Sequence, residues 1–429
     1  MKKIYLAFCL VFLSSVITDL KAQCANGRYL NTIFSANANV TDQVQFGTAT
    51  KYDGTIQNLT MLIDTPEGDN FAHRPLMILA FGGNFTSGTN LSPDMVQICQ
   101  AFAERGFVTA SIDYRLGVAN SNDSCMYQAV IRAIQDMNAA IRFFMKDAYT
   151  TNQFRIDTNQ IFCGGTSAGA FIGVNKGYFK ESLSDFSRPI PPTLISAIFE
   201  LGGPEGGDTV NAGYTDKIKG IIDLCGAVVD TLWIQPGDPI LIGVHGTGDS
   251  TVPYYYDSIE GLTNVDKDFF GGGNIIQRFH SLGLPIANDS IRTFIGAPHA
   301  PFVLPVPLVP PASLYMDTTI SVLANYMYIN IVCDSTQVSG INEITQNNVY
   351  VSVFPNPSDG IMNIISHDPK DMIVDVVDMD GRLIEKIDLP AYSSQSMRKD
   401  NNISAGMYLL NYYDATGTVR MKTQKVTFY

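Results

Sequence analysis

Residues 161–164, Ile161-Phe-Cys-Gly164, form an apolar strand-like run that ends at Gly165-Thr-Ser-Ala-Gly169 and passes straight into a helix-like run. A chain that changes from strand to helix within one or two residues must turn sharply. Such a turn tolerates only small neighbours, and Gly165, Ala168 and Gly169 meet that need. The turn lifts its central side chain, Ser167, to the rim of a sheet. It also brings the free N–H groups and partial positive charge of a helix N-terminus beside the hydroxyl. Ser167 is therefore the candidate nucleophile.

Around this turn, strand-like and helix-like runs alternate from residue 75 to about residue 334. Residues 76–81, 106–113, 161–164, 194–200, 239–244 and 292–295 read as strands, and 48–53 and 60–64 as antiparallel strands ahead of them. Residues 125–148 read as a helix, because Met126, Val130, Ile134, Met137, Ile141 and Phe144 recur at three- and four-residue spacing on one face. A second long helix is expected over 312–329. The alternation predicts an α/β fold, a mostly parallel sheet with helices on both faces. After Cys333 the pattern changes. A polar stretch is followed, from residue 349, by short alternating strands such as Val349-Tyr-Val-Ser-Val-Phe354 and Met362-Asn-Ile-Ile365, broken by turns such as Met379-Asp-Gly381. This predicts a small all-β sandwich. The expected division is 1–22 as a signal peptide, 23–335 as the α/β domain, 336–348 as a linker and 349–429 as the β domain.

The N-terminus supports the first of these. Met-Lys-Lys precedes an apolar run from residue 4 to residue 17, the plan of a cleaved secretory signal. That run is too short for a transmembrane helix, and no later segment is long and apolar enough to replace it. Of seven cysteines, Cys9 leaves with the signal, and Cys24, Cys99, Cys125, Cys163, Cys225 and Cys333 remain. Export makes some pairing reasonable, with fifteen connectivities open. Cys163, inside an apolar strand, reads as a buried free thiol. No CxxC or Cys/His cluster points to zinc, and no cofactor is called for. A net charge of −13 argues against nucleic acid or an anionic membrane as partner.

A serine hydroxyl needs a base, and the base an orienting acid. With the nucleophile on a strand–helix turn, the expected chain order is serine, acid, histidine. His299 lies in Gly296-Ala-Pro-His-Ala300, just past the last strand, where ligand sites of open α/β sheets gather. Asp249 lies in His245-Gly-Thr-Gly-Asp249, the loop after the 239–244 strand. Ser167, Asp249 and His299 are the expected catalytic residues, with Asp257 the second candidate acid. His245, ahead of the turn, reads as a structural hydrogen-bonder. Oxyanion donors are expected from the Ala168 N–H and from the loop Phe81-Gly-Gly-Asn-Phe85 after the 76–81 strand. The aromatics of 202–237 (Tyr214, Trp233) and of 254–273 (Phe269, Phe270) either wall the site or pack in the core, the commoner use of such side chains.

Phe81-Gly-Gly-Asn-Phe85, Asp113-Tyr-Arg-Leu116, Gly165-Thr-Ser-Ala-Gly169, His245-Gly-Thr-Gly-Asp249 and His299 occur in this order, and together they resemble the carboxylesterase and hormone-sensitive-lipase-like branch of the α/β-hydrolases. The resemblance implies hydrolysis of carboxylic esters through an acyl-enzyme, with Gly83 and Asn84 carrying the loop's oxyanion donors. Phe81 stands where that branch has histidine, and Asn84 where it has a third glycine. Val353-Phe-Pro-Asn-Pro-Ser-Asp-Gly360, Asp378-Met-Asp-Gly381, Gly406-Met-Tyr-Leu409 and Lys425-Val426 resemble a type IX secretion sorting domain. That resemblance implies the type IX machinery as partner, a Gram-negative cell surface or medium as destination, and removal of the domain. The substrate class expected is an ester, with acetyl or feruloyl groups on polysaccharides among the candidates. The rival readings are an exopeptidase of the same fold and a binding protein on an inactive hydrolase scaffold.

Overall fold

The structure is a computed structural model. It describes residues 24–428 except 25–26, 39–42, 120–122, 180–194, 197–199, 202, 204–210, 258–268, 285–288, 304–311, 334–350, 355–357, 359, 367–369, 379–381, 392, 400–402 and 418–419. The expected signal peptide (1–22), the linker (336–348) and the turn at Met379-Asp-Gly381 lie outside the described residues. The chain divides into two compact units, Met1–Val338 and Ser339–Tyr429.

In the first unit the strands are β1 (Ala36–Ala38), β2 (Val44–Thr50), β3 (Ile56–Pro66), β4 (Arg74–Ala80), β5 (Val108–Ile112), β6 (Ile156–Thr166), β7 (Gly220–Leu224), β8 (Ala227–Val228), β9 (Ile240–Gly246), β10 (Tyr256–Asp257), β11 (Phe269–Gly271) and β12 (Asp289–Phe294). The helices are α1 (Pro93–Ala103), α2 (Asp123–Tyr149), α3 (Ala168–Tyr178), α4 (Gly272–Ser281) and α5 (Ala312–Met327). A nine-stranded sheet runs in the order β1-β3-β5-β4-β6-β7-β9-β12, with β2 on β3. β3 pairs antiparallel with β1, β2 and β5, and every pair from β5 to β12 is parallel. All residues of β4, β5 and β7 are buried. Strands buried on both faces are what helical crossovers on either side of a parallel sheet produce, and they explain the continuous apolar runs. The small sheet β10-β11-β8 lies beside the main one in sequence, built from the loops that follow β7 and β9.

Two expectations for this unit change. Of residues 194–200, expected as a strand, the described ones, Ile195, Ser196 and Glu200, are helical. The strand next to β6 is instead β7, inside the segment that sequence reading treats as a pocket wall. Gly220-Ile-Ile-Asp-Leu224 is only five residues long and carries a carboxylate at its fourth position, so its apolar signal is weak.

The second unit holds β13 (Val351–Phe354), β14 (Ile361–Ser366), β15 (Met372–Asp378), β16 (Leu383–Leu389), β17 (Ser394–Arg398), β18 (Gly406–Asp414) and β19 (Arg420–Phe428). They form sheets β13-β14-β17 and β16-β15-β18-β19, with antiparallel pairing throughout. Met362, Ile364 and Met397 of the first share one core with Val374, Val376, Leu410, Tyr412, Val426 and Phe428 of the second. The sandwich follows from alternation: in β14, residues facing in are buried and those between are partly exposed.

A disulfide joins Cys24 to Cys333 across 309 residues, and Cys99, Cys163 and Cys225 are free thiols. Cys163 is buried, as its strand setting implies. The cross-link ties the first described residue of the unit to its last. Closing so long a loop in the unfolded chain restricts that state strongly. Replacing both cysteines by serine is expected to lower the unit's stability by about 2–5 kcal/mol, read by urea unfolding under oxidising conditions. An unchanged midpoint would show the link to be incidental.

Candidate active site

The turn between β6 and α3 is set by close approach to β4. A Cβ on Gly165 would lie 1.8 Å from the Ala80 carbonyl oxygen, and one on Gly169 would lie 1.8 Å from the same atom. Only hydrogen fits at either place. Ser167 between them has φ 55° and ψ −115°, a strained conformation for a residue with a side chain. Its N–H donates to Leu224 O at 2.9 Å, and its carbonyl accepts from Phe171 N at 2.8 Å. The hydroxyl is thereby held at the carboxyl end of the sheet, at the N-terminus of α3.

His299 Nε2 lies 2.8 Å from Ser167 Oγ, and His299 Nδ1 lies 2.7 Å from Asp249 Oδ2. The three side chains expected from chain order thus meet, although 132 and 50 residues separate the pairs. Asp257, the second candidate acid, sits on the exposed strand β10. The loops carrying Asp249 and His299 are fastened to each other. Thr247 N donates to Phe294 O at 3.0 Å, Gly248 N to Ala297 O at 3.0 Å, and Gly296 N to Thr247 Oγ1 at 2.7 Å. Gly246 is needed here, because a Cβ would come within 2.3 Å of Ala297 O.

Asp249 Oδ1 accepts from Thr251 N at 2.9 Å and Val252 N at 2.8 Å. Oδ2 faces His299 and also His245 Nε2, at 3.3 Å. Burial alone would raise this carboxyl. Hydrogen bonds from His245 and His299 and their positive charge outweigh it and hold Asp249 at about 2. Asp249 therefore stays ionised beside the imidazole. The Cys225 Sγ, a carboxylate oxygen of Asp249 and a ring nitrogen of His299 lie within 4.8 Å of one another. Ligands around a tetrahedral zinc stand about 3.3 Å or more apart. The 2.7 Å His299–Asp249 contact is closer than that, as a hydrogen bond is.

On the other side of Ser167 lies the loop after β4. Phe81 is stacked on Tyr114 at 4.5 Å, and Tyr114 Oη donates to Phe81 O at 3.1 Å. Asp113, just before, accepts from Asn90 N at 2.8 Å and Thr60 Oγ1 at 2.8 Å. Arg115, just after, pairs with the buried Asp136. The Asp-Tyr-Arg run is thus the support of the loop. Gly83 O accepts from Thr86 N and Ser87 N, which turns the backbone of Gly83 and Asn84. Asn84 takes φ 54°, a left-handed conformation that asparagine tolerates better than most residues. Gly82 is the loop residue against Ser167: a Cβ there would stand 3.1 Å from Ser167 Cβ. The sequence places Gly82 in the expected donor loop, with the donors themselves expected at Gly83 and Asn84. The two glycines in a row were the available signal.

Of the aromatics expected near the site, Trp233 and Phe269 are core residues, packed edge-on against Phe179 at 5.4 Å and Phe171 at 5.2 Å. Tyr214 stacks on Tyr149 at 6.3 Å. Sequence reading also missed Asp223 on β7. It is 1% exposed, Oδ1 accepts from Gly226 N at 2.8 Å, and Oδ2 has no hydrogen-bond partner among the described residues. Desolvation pushes this carboxyl up to about 6, with the nearby His245 and the Gly226 N–H opposing the rise.

Asp223 binds its proton more tightly in the folded chain than in the unfolded one. Its effect is therefore a loss of stability as pH rises from about 3.8 to about 6. Replacing Asp223 by Asn removes that loss. The variant is expected to gain up to about 3 kcal/mol over the parent at pH 8 and little at pH 4, measured by urea unfolding at both. An equal difference at the two pH values would refute the assignment.

Residues 62–204 match the family model described as BD-FAE, and residues 352–426 match the one described as secretion system C-terminal sorting domain. No curated protein matches the chain. Among solved structures, the chain is similar to esterase Est2 of the Planctomycetes species Thermogutta terrifontis with propionate bound, at 18% identity and TM-score 0.46, over 67% of this chain and 93% of that one. The butyrate-bound form gives 18% and 0.46 over 68% and 94%. The form phosphorylated by paraoxon gives 19% and 0.45 over 67% and 93%. The chain thus carries a BD-FAE-like region on a mixed sheet with helices, and a region like a secretion sorting domain in its all-β unit.

Proposed function

We propose that the protein is a secreted serine esterase with Ser167 as nucleophile, His299 as general base and Asp249 as orienting acid. The observation that carries this reading is the continuous line from Ser167 Oγ through both nitrogens of His299 to Asp249, with contacts of 2.8 and 2.7 Å. His299 Nδ1–H donates to Asp249, which leaves Nε2 free to accept the serine proton. Oγ attacks the ester carbonyl as that proton moves to Nε2, and the ionised Asp249 stabilises the imidazolium. The oxyanion is received by the N–H of Ala168, in the first turn of α3 where a helix supplies no acceptor, and by those of Gly83 and Asn84. The imidazolium then protonates the departing alcohol, and water, activated by the same nitrogen, releases the acid.

We place the catalytic domain at 23–335, the linker at 336–348 and the sorting domain at 349–429. The signal at 1–22 takes the chain across the inner membrane, and the type IX machinery takes it to the surface, where both end segments are removed. The substrate we favour is an acetyl or feruloyl ester on a polysaccharide. The surface destination supports it.

Ser167→Ala is expected to lower hydrolysis of p-nitrophenyl acetate by about 10⁴-fold or more with the circular dichroism unchanged. A fluorophosphonate probe is expected to label the parent and not the variant. Hydrolysis at the parental rate by Ser167→Ala would end this reading.

A further inference from the structure

His245 is a buried titratable group to which the proposed mechanism gives no task. Its side chain is fully buried at the end of β9, four residues before Asp249. The ring is held in one orientation. Gly272 N donates to Nδ1 at 3.2 Å, so Nδ1 is an acceptor and the proton sits on Nε2. That Nε2–H faces two acceptors, Val252 O at 2.9 Å and Asp249 Oδ2 at 3.3 Å. Gly272 is glycine at a place where a Cβ would press on this ring, 3.0 Å from Nδ1. Tyr254 meets the ring edge-on at 5.4 Å with its hydroxyl engaged by Thr293 Oγ1, and Asp223 approaches from β7.

We propose that His245 is a positioning residue for the proton relay, its Nε2–H fixing the Asp249 carboxylate so that Oδ2 is presented to His299. The proposal rests on the serine-esterase reading above and assigns a further residue to it. A carboxylate held by one oxygen can still swing the other. Here Oδ1 is pinned by the N–H groups of Thr251 and Val252, and Oδ2 is shared by two imidazoles on opposite errands. His245 donates through its Nε2–H, while its Nδ1 accepts from the Gly272 N–H. His299 sends its proton along the chemistry. The same bond helps keep Asp249 ionised, which is the state an orienting acid must hold.

The role separates from a merely structural one by replacing one ring nitrogen at a time. His245→Asn keeps an acceptor toward Gly272 and lacks a donor at the Nε2 place, whereas His245→Gln restores an amide N–H there. His245→Asn is expected to lower kcat for p-nitrophenyl acetate by about 10- to 100-fold with KM little changed. The acid-side fall of kcat/KM, a property of the His299–Asp249 pair, is expected to move to higher pH, since the carboxylate yields its charge sooner. His245→Gln is expected to recover most of both effects. Parental kcat and pH profile in His245→Asn, with only its melting temperature lowered, would overturn the proposal. Should His245→Asn fail to fold, ¹⁵N NMR of the parent decides: a protonated Nε2 at His245 supports it, and a protonated Nδ1 overturns it. Fluorophosphonate labelling of the parent at Ser167 keeps the two readings apart. Absent labelling overturns the esterase assignment and this proposal with it, while labelling beside an unaltered His245→Asn overturns the role of His245 alone.

Discussion

The site depends first on how closely the turn after β6 approaches the carbonyl of Ala80 on β4. Two glycines, Gly165 and Gly169, leave room for that oxygen where any Cβ would be within 1.8 Å. The approach lets strand become helix across a single residue, and it forces Ser167 to φ 55°. The strain is borne by the packing of α3 on the parallel core and by the Ser167 N–H bond to Leu224 O on β7. A hydroxyl presented in this way stands clear of its own backbone and next to helix N–H groups. Both conditions are needed for attack on a carbonyl.

Asp249 and His299 come from further along the same rim. Their loops follow β9 and β12, which pair in parallel with register Gly246↔Phe294 at the ends. Adjacent parallel strands that end together deliver adjacent loops, and the bonds between Thr247, Gly248 and the 294–297 segment lock them. Asp249 and His299 are thus brought to 2.7 Å by register and loop bonding. His245, Asp223 and Cys225 lie behind them, fully or almost fully buried. The pair is therefore backed by a layer of polar groups inside an otherwise apolar core, where each donor and acceptor matters more than at the surface.

Much of this was legible in the chain. The run Ile161-Phe-Cys-Gly164 before Gly165-Thr-Ser-Ala-Gly169 identifies a strand–helix turn, because short-range sterics dictate it. Strands β4, β5 and β9 and the helix α2 announce themselves by apolar runs and by three- and four-residue spacing. β7 did not, and residues 194–200 were read as a strand in its place. A five-residue strand with Asp223 inside it looks polar locally. It is a strand because β6 and β9 flank it and satisfy its backbone. The closeness of Gly82 was not legible for a related reason: which of two adjacent glycines touches Ser167 depends on the turn at Gly83 and on Tyr114 holding Phe81.

By itself the sequence determined the strand–helix turn at Ser167, the order Ser167, Asp249, His299, and the change from α/β alternation to a β sandwich after Cys333. Each of these is local, carried by side-chain size, spacing and chain order. Tertiary structure alone decided that the imidazole of His299 spans Oγ and Oδ2, that His245 lies against the same carboxylate oxygen, that Asp223 is buried with an atom unpartnered among the described residues, and that Cys24 meets Cys333. The reason is that these contacts cross between strands. They follow from sheet order and register, which arise only when distant segments compete for the same buried edge, and no window along the chain contains that competition.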